Sequence, residues 1–350
     1  MIKKSNKKTS PPTLSDIYRQ AVKIGMDNDP RGLQGAELSL VETQKKFDAL
    51  KDDEKKYFDL ESLQNPYSDT RILNGFQNTP VRAVLVGIDI EAPELLLADA
   101  LRGKGRPLDA VIAHHPEGYA YARLYDVMHM QSDILGRSGV PINVAESLMD
   151  DRVREVRRRL MPANHQRAVD AAKLLGLPLM CIHTPADNMV ATYLQTLFDD
   201  KKPATLGGVV ELLLEIEEYK QGARGDAGPT VLVGDKDRKT GRVFVDMTGG
   251  TEGSKDIFKS LSASGINTVV GMHLSEEHRK EAEKHRVNVV IAGHIASDNL
   301  GLNLLFDRIF GANGAPGKSG KSGGSDVSGV SGNAGAVEII ECSGFRRVAR

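Results

Sequence analysis

Cysteine is nearly absent: the 350 residues hold two, Cys181 and Cys342, far apart and without a CxxC partner. Neither a disulfide framework nor a thiolate zinc site can be built from them, and a reducing, cytoplasmic setting suits such a chain. An excess of one charge is also missing. With 46 basic and 47 acidic side chains there is no field of one sign, so nucleic acid is not implied as a partner. No stretch approaches the roughly 20 apolar residues of a membrane span, and no apolar region follows the polar, basic opening MIKKSNKKTSPPT, so no membrane location is expected. No GxGxxG follows any apolar run, and the glycine-rich stretch 246–254 lacks the Gly-Lys-Ser/Thr ending of a P-loop.

The composition that remains, 40% hydrophobic and 27% charged, is that of an ordinary globular protein, and 350 residues allow two units or one elaborated domain. Helix formers with apolar spacing of three and four at 14–23 and 35–58, including Leu38, Val41, Phe47 and Leu50, predict a helical lead-in over 1–70. From residue 81 short apolar runs, at 83–90, 110–113, 179–183, 230–233, 243–246, 267–270 and 287–292, alternate with segments of helical spacing. Runs this short and rich in valine and isoleucine are expected to be strands covered on both faces, so an α/β fold with a parallel or mixed sheet follows. The Gly/Ser-rich stretch 311–335 reads as a flexible insert, after which 336–350 returns with one more strand. Residues 109–115 (DAVIAHH) and 288–294 (NVVIAGH) echo one another, each a strand followed by histidine, which suggests a two-part design.

Three places share one grammar: an apolar run, a histidine where it ends, then turn or helix-start residues. They are VIAHHPEG, MCIHTPADN and VIAGHIASDN. In open α/β sheets such strand ends converge on one ligand site. Neighbouring residues on a strand point to opposite faces, so His114 and His115 either split between core and solvent or both reach a site because Pro116 breaks the strand. Asp187 and Asp298 each follow a histidine, His183 and His294, by four residues. They are either helix caps or members of chelating pairs. The stretch 246–254 is a tight turn or an anion cradle. His273 closes another run, after which Glu276, Glu277 and His278 read as a solvated, capped helix start, while His129 and His165 read as surface or packed residues. Taken together, histidines with carboxylates and no thiolate suit zinc, iron or manganese, and five ligands exceed one tetrahedral zinc. The surplus favours two divalent ions roughly 4 Å apart that activate water.

These residues resemble the Nif-three-like, or YbgI-like, dinuclear metal proteins, also labelled GTP cyclohydrolase I type-two homologues. The resemblance spans about 72–309 and rests on GIDIEAPELLLADAL, AHHP, HTPADN and AGHIASD, with DMTGGTEGS and GMHLSEEH similar in longer relatives. It implies two related α/β lobes, at 71–200 and 201–310, a metal pair in the cleft between them, and a homo-oligomer. The ligand set it implies is His114, His115, Asp187, His294 and Asp298. Family members more often carry glutamate where Asp298 stands, and the middle motif commonly reads HTNLD, so Pro185 and Ala186 depart from it. His183 then lines the site, and His183 or His273 would carry protons as catalytic residues. The expected function is a metal-dependent hydrolase acting on a nucleotide-like or phosphorylated small molecule. The competing expectation is a non-catalytic metal-binding regulatory or metal-chaperone protein.

Overall fold

The computed structural model describes residues 10–311, 337–348 and 350. The expected insert therefore lies outside the described residues, apart from Gly311. Nine strands are described: β1 (Arg71–Asn74), β2 (Ala83–Gly87), β3 (Ala110–Ala113), β4 (Leu179–Cys181), β5 (Thr230–Val233), β6 (Val243–Asp246), β7 (Thr268–Gly271), β8 (Asn288–Ile291) and β9 (Glu338–Glu341). They form two mixed sheets, in the orders β1-β4-β3-β2-β9 and β5-β8-β7-β6. In each, the first strand is an antiparallel edge and the others run parallel. The apolar runs are the parallel strands and β5. The edge β1 was missed, because Arg-Ile-Leu-Asn is half polar and only four residues long.

Valine and isoleucine alternate between two covered faces, which explains why the runs look apolar throughout. Val84, Val86, Ile112 and Met180 meet Ala186, Met189, Leu302, Leu305 and Phe306, while Leu85, Val111 and Leu179 meet Leu95, Ala98, Ala168 and Ala172 on the opposite side. In the second sheet Val245, Val270 and Val290 face Val190, Leu194 and Leu300, and Phe244, Val269 and Val289 face Met149, Val153 and Phe258. Two central helices, Thr184–Lys201 and His294–Phe310, thus lie between the sheets and belong to both cores. Helix Ile142–Leu160, which the chain reaches before completing the first sheet, covers the outer face of the second.

The sheets repeat one topology, and even the register irregularity recurs in both antiparallel pairs. The repeat corrects the echo read from sequence. β3 corresponds to β7 and β4 to β8, so the strand before His114 is not the counterpart of the strand before His294. Similar valine-rich strings hid the true pairing. The lead-in is helical as expected, with Leu14–Asp27 started by a Thr13–Asp16 capping box. In helix Leu33–Ala49, however, Leu38 and Val41 are exposed and Ala36 alone is buried. Both cysteines are free thiols. Among the described residues no helix is long and apolar enough to cross a membrane.

Candidate metal centre

β3 ends at Ala113, yet the chain stays beside β2: the His114 and His115 N–H groups donate to the Gly87 and Ile88 carbonyls, both at 2.9 Å. Each histidine then has its Nδ1 occupied. That of His114 faces the Ile182 carbonyl at 3.0 Å, and that of His115 faces Asp89 Oδ1 at 2.7 Å. Anchored this way, both rings turn Nε2 toward one point, with ring centres 5.3 Å apart. The converging reading of HHP holds, and the split between core and solvent does not.

The remaining groups come from the starts of the two central helices. His183 precedes the first, its Nδ1 2.8 Å from Asp69 Oδ2, and Thr184 donates to the same oxygen at 2.6 Å. Asp187 sits one turn in, 3.5 Å from His114 Nε2. His294 opens the second helix, and Asp298 places Oδ1 3.5 Å from His114 Nε2 and Oδ2 3.5 Å from His115 Nε2 and 3.6 Å from His294 Nε2. Neither aspartate caps its helix: the N-cap positions are His183 and Gly293, without a side-chain bond. The helices can bring the two carboxylates together because they cross at Gly301. A Cβ there would lie 2.9 Å from the Ala186 carbonyl carbon and closer still to its oxygen.

Ligand atoms of three residue groups lie within 4.8 Å of one another: His114 with Asp187 and Asp298, His115 with His294 and Asp298, and His114 with His115 and His183. All five residues expected as ligands are brought together, with His183 beside them and Asp298 common to two groups. His114 Nε2, Asp187 Oδ1 and both Asp298 oxygens are buried without a hydrogen-bond partner. Such groups cost several kcal/mol when bare and unpaired. Burial drives the Asp187 carboxyl well above the ordinary range against the pull of His114. At Asp298 burial acts the same way but is outweighed by His114, His115 and His294, which hold it below the ordinary value. His115 is raised to about 9 because Asp298 and Asp89 overcome the effect of burial, and burial lowers His294. Imidazoles and bare carboxylates around one point form the donor set that a divalent zinc, iron or manganese ion accepts.

His273 stands outside the three ligand groups. Its ring centre is 4.8 Å from that of His294, its Nδ1 is 3.2 Å from Glu252 Oε1, and it opens to the same cavity. The glycine-rich stretch is a tight turn packed on helices: Gly249 and Gly250 have positive φ, and Gln131 Nε2 donates to the carbonyls of Gly249 and Thr251. Sequence reasoning missed Asp69, Asp89 and Glu252, the carboxylates that orient His183, His115 and His273. Asp89 stands just past β2, close to the signal that exposed the histidines; Glu252, well beyond the end of β6, and Asp69, in a turn, carried none. Also missed was a buried chain of polar contacts beside Asp187. Thr248 donates to Asn188 Oδ1 at 2.6 Å, Asn188 donates to Tyr67 at 3.2 Å, and Tyr67 donates to Asp29 at 2.9 Å.

The fold is that of NIF3 superfamily structures. A crystal structure of a NIF3 superfamily protein from Sphaerobacter thermophilus superposes with a TM-score of 0.64 at 24% identity, over 79% of this chain and 92% of that one. The ybgI structure matches with a TM-score of 0.40 and 14% identity over 88% and 96%. A Bacillus cereus protein related to NIF3 matches with 0.36 and 14% over 69% and 86%. No family model and no curated protein matches the sequence.

Proposed function

We propose that this NIF3-fold chain is a dinuclear metal-dependent enzyme of the hydrolase type. The observation that carries the reading is a cavity of about 420 Å³ that opens onto the His/Asp cluster and reaches His115, His183, Asp187, His294 and Asp298 from one side. A cargo or purely structural site needs no such space, whereas catalytic metal sites keep an open position. His114, Asp187 and Asp298 would hold one ion, and His115, His294 and Asp298 the other. When bound, the pair would supply Lewis acidity and a water acidic enough to attack at neutral pH.

The chain's own residues perform the rest. Asp89, Asp69 and the Ile182 carbonyl fix the rings of His115, His183 and His114, so the donors are aimed before any ion or substrate arrives. His183 and His273 are the two imidazoles proposed to move protons. His273 is favoured because it lies outside the ligand groups and is half exposed to the cavity, with Glu252 holding its Nδ1. The resemblance points to nucleotide-like or phosphorylated substrates. A cytoplasmic homo-oligomer belongs to the same reading, supported by the two free thiols and by Leu96, Leu97 and Leu174, exposed on two adjacent helices.

The test is elemental analysis of protein purified without added metal, repeated on His115→Ala, together with hydrolysis assays on amide, ester, heterocyclic and phosphoester panels. Two ions per chain, loss of bound metal in the variant and metal-dependent turnover support the proposal. Unchanged metal content in the variant moves the site elsewhere, and tightly held metal with no turnover favours the regulatory or chaperone role.

A further inference from the structure

We propose that the cavity selects a small molecule with a planar, uncharged ring body whose polar head reaches the His/Asp cluster, and that it rejects polyphosphates. The inference rests on the reading of that cluster as a metal centre. It is carried by the uneven lining of the cavity, in which one wall is apolar and the rim is acidic.

The apolar wall is made by Leu124, Ile257, Phe258, Leu261, Val269 and Ile291. It starts next to the metal centre, because Ile291 ends β8 and His294 follows three residues later. Phe258 sits edge-on to His278, with ring centres 6.3 Å apart, which fixes its ring in the wall. A ligand that only had to touch the ions would need none of this surface, and an apolar wall continuous with a polar centre is how pockets orient a ring carrying one reactive group.

The rim excludes an anionic body, so of the substrates the resemblance suggests, the ring of a nucleotide-like molecule fits this cavity and a phosphate chain does not. Asp89, Glu91, Glu117, Asp246 and Glu252 line the cavity in addition to the ligands Asp187 and Asp298, and among the described residues no lysine or arginine does. Phosphate chains are ordinarily met by arginine, lysine or free N–H groups of a glycine-rich loop. Here the Thr251 N–H already donates to the Gly249 carbonyl at 3.2 Å, and a Cβ on Gly250 would lie 3.0 Å from Val127, so Gly250 serves close packing.

The test titrates the metal-loaded full chain with benzohydroxamate, acetohydroxamate and inorganic pyrophosphate, following binding by calorimetry. Benzohydroxamate and acetohydroxamate share a metal-seeking head and differ in the ring. The ring is expected to tighten binding by about 30-fold or more, since its burial removes on the order of 100 Å² of apolar surface from water. Pyrophosphate is expected to bind more weakly than either. Ile291→Thr, and separately Leu274→Asn on the partly buried loop that lines the same wall, should each shrink the ratio of the two hydroxamate affinities by about tenfold. Equal binding of the two hydroxamates, or tightest binding of pyrophosphate, overturns the proposal while leaving the metal centre standing. Failure of both hydroxamates to bind a chain that carries its ions overturns the metal-centre reading as well.

Discussion

Gly301→Ala perturbs the centre without touching any ligand. The added methyl would enter the crossing of the central helices well inside the 3.0 Å that real Cβ atoms essentially never cross, and its neighbour is the Ala186 backbone. The helices must part by about 1 Å to restore ordinary packing near 3.4 Å. That strain costs about 1–3 kcal/mol, offset by about 1 kcal/mol because alanine favours the helix over glycine. Stability therefore falls by about 0–2 kcal/mol, too little to be diagnostic. Metal binding is the sharper readout. Asp187 follows Ala186 directly and Asp298 lies one turn before Gly301, while coordination distances tolerate shifts of only about 0.2 Å. Metal affinity is expected to fall by about tenfold or more, measured by competition with a chromophoric chelator. Gly103→Ala, where a Cβ meets nothing within 4 Å, is the control and should leave affinity unchanged. Wild-type metal affinity in Gly301→Ala would show that the helix crossing does not set the carboxylate spacing, and the geometric argument would fall.

Other outcomes follow from the same structure. Exhaustive chelation should lower the melting temperature, and reloading at 100 times the dissociation constant should restore about 2.7 kcal/mol of stability; calorimetric scans of apo and loaded protein that coincide would contradict a native-state ion. Asp89→Asn should loosen the ring of His115, weakening metal binding by about 10–100-fold in the same chelator competition. Asp29→Ala leaves the buried Arg31 guanidinium without its bidentate partner, at a cost of about 3–5 kcal/mol by urea denaturation. Phe306→Ala, emptying a fully buried position between the central helices and the first sheet, should cost about 3–5 kcal/mol in the same measurement.

Much of the fold was legible because burial on both faces leaves a local mark. β2, β3 and β4 carry unbroken apolar runs and β7 and β8 valine-rich ones, and the histidines that end three runs stood out against them. β1 left no such mark, since an antiparallel edge strand needs neither length nor apolar residues on both sides. The carboxylates of the cluster, Asp187 and Asp298, were legible through their spacing from His183 and His294. The carboxylates behind the histidines were not: Asp69 reaches His183 across 114 positions and Glu252 reaches His273 across 21. Contacts of that span are created by the sheets and have no local periodicity. Leu38 and Val41 erred in the opposite sense, because helical spacing of apolar residues shows a face and not what covers it.

The duplicated topology explains why a symmetric frame holds an asymmetric centre. Register places Ala113 opposite Cys181 in the first sheet and Gly271 opposite Ile291 in the second. His114 and His115 then correspond to Met272 and His273, so the second lobe lacks one imidazole, and the other is drawn to Glu252. Along the helix starts, His183 corresponds to Gly293, and the His-x-x-x-Asp pair of the second lobe begins one residue later. One residue turns a helix by 100°. Asp298 therefore faces His114, His115 and His294 together, while Asp187 faces His114 and His183. With His114, His115 and His183 on one lobe, the other contributes His294, His273 and Glu252 and most of an apolar wall, and this division gives the cavity a His/Asp end and an apolar end.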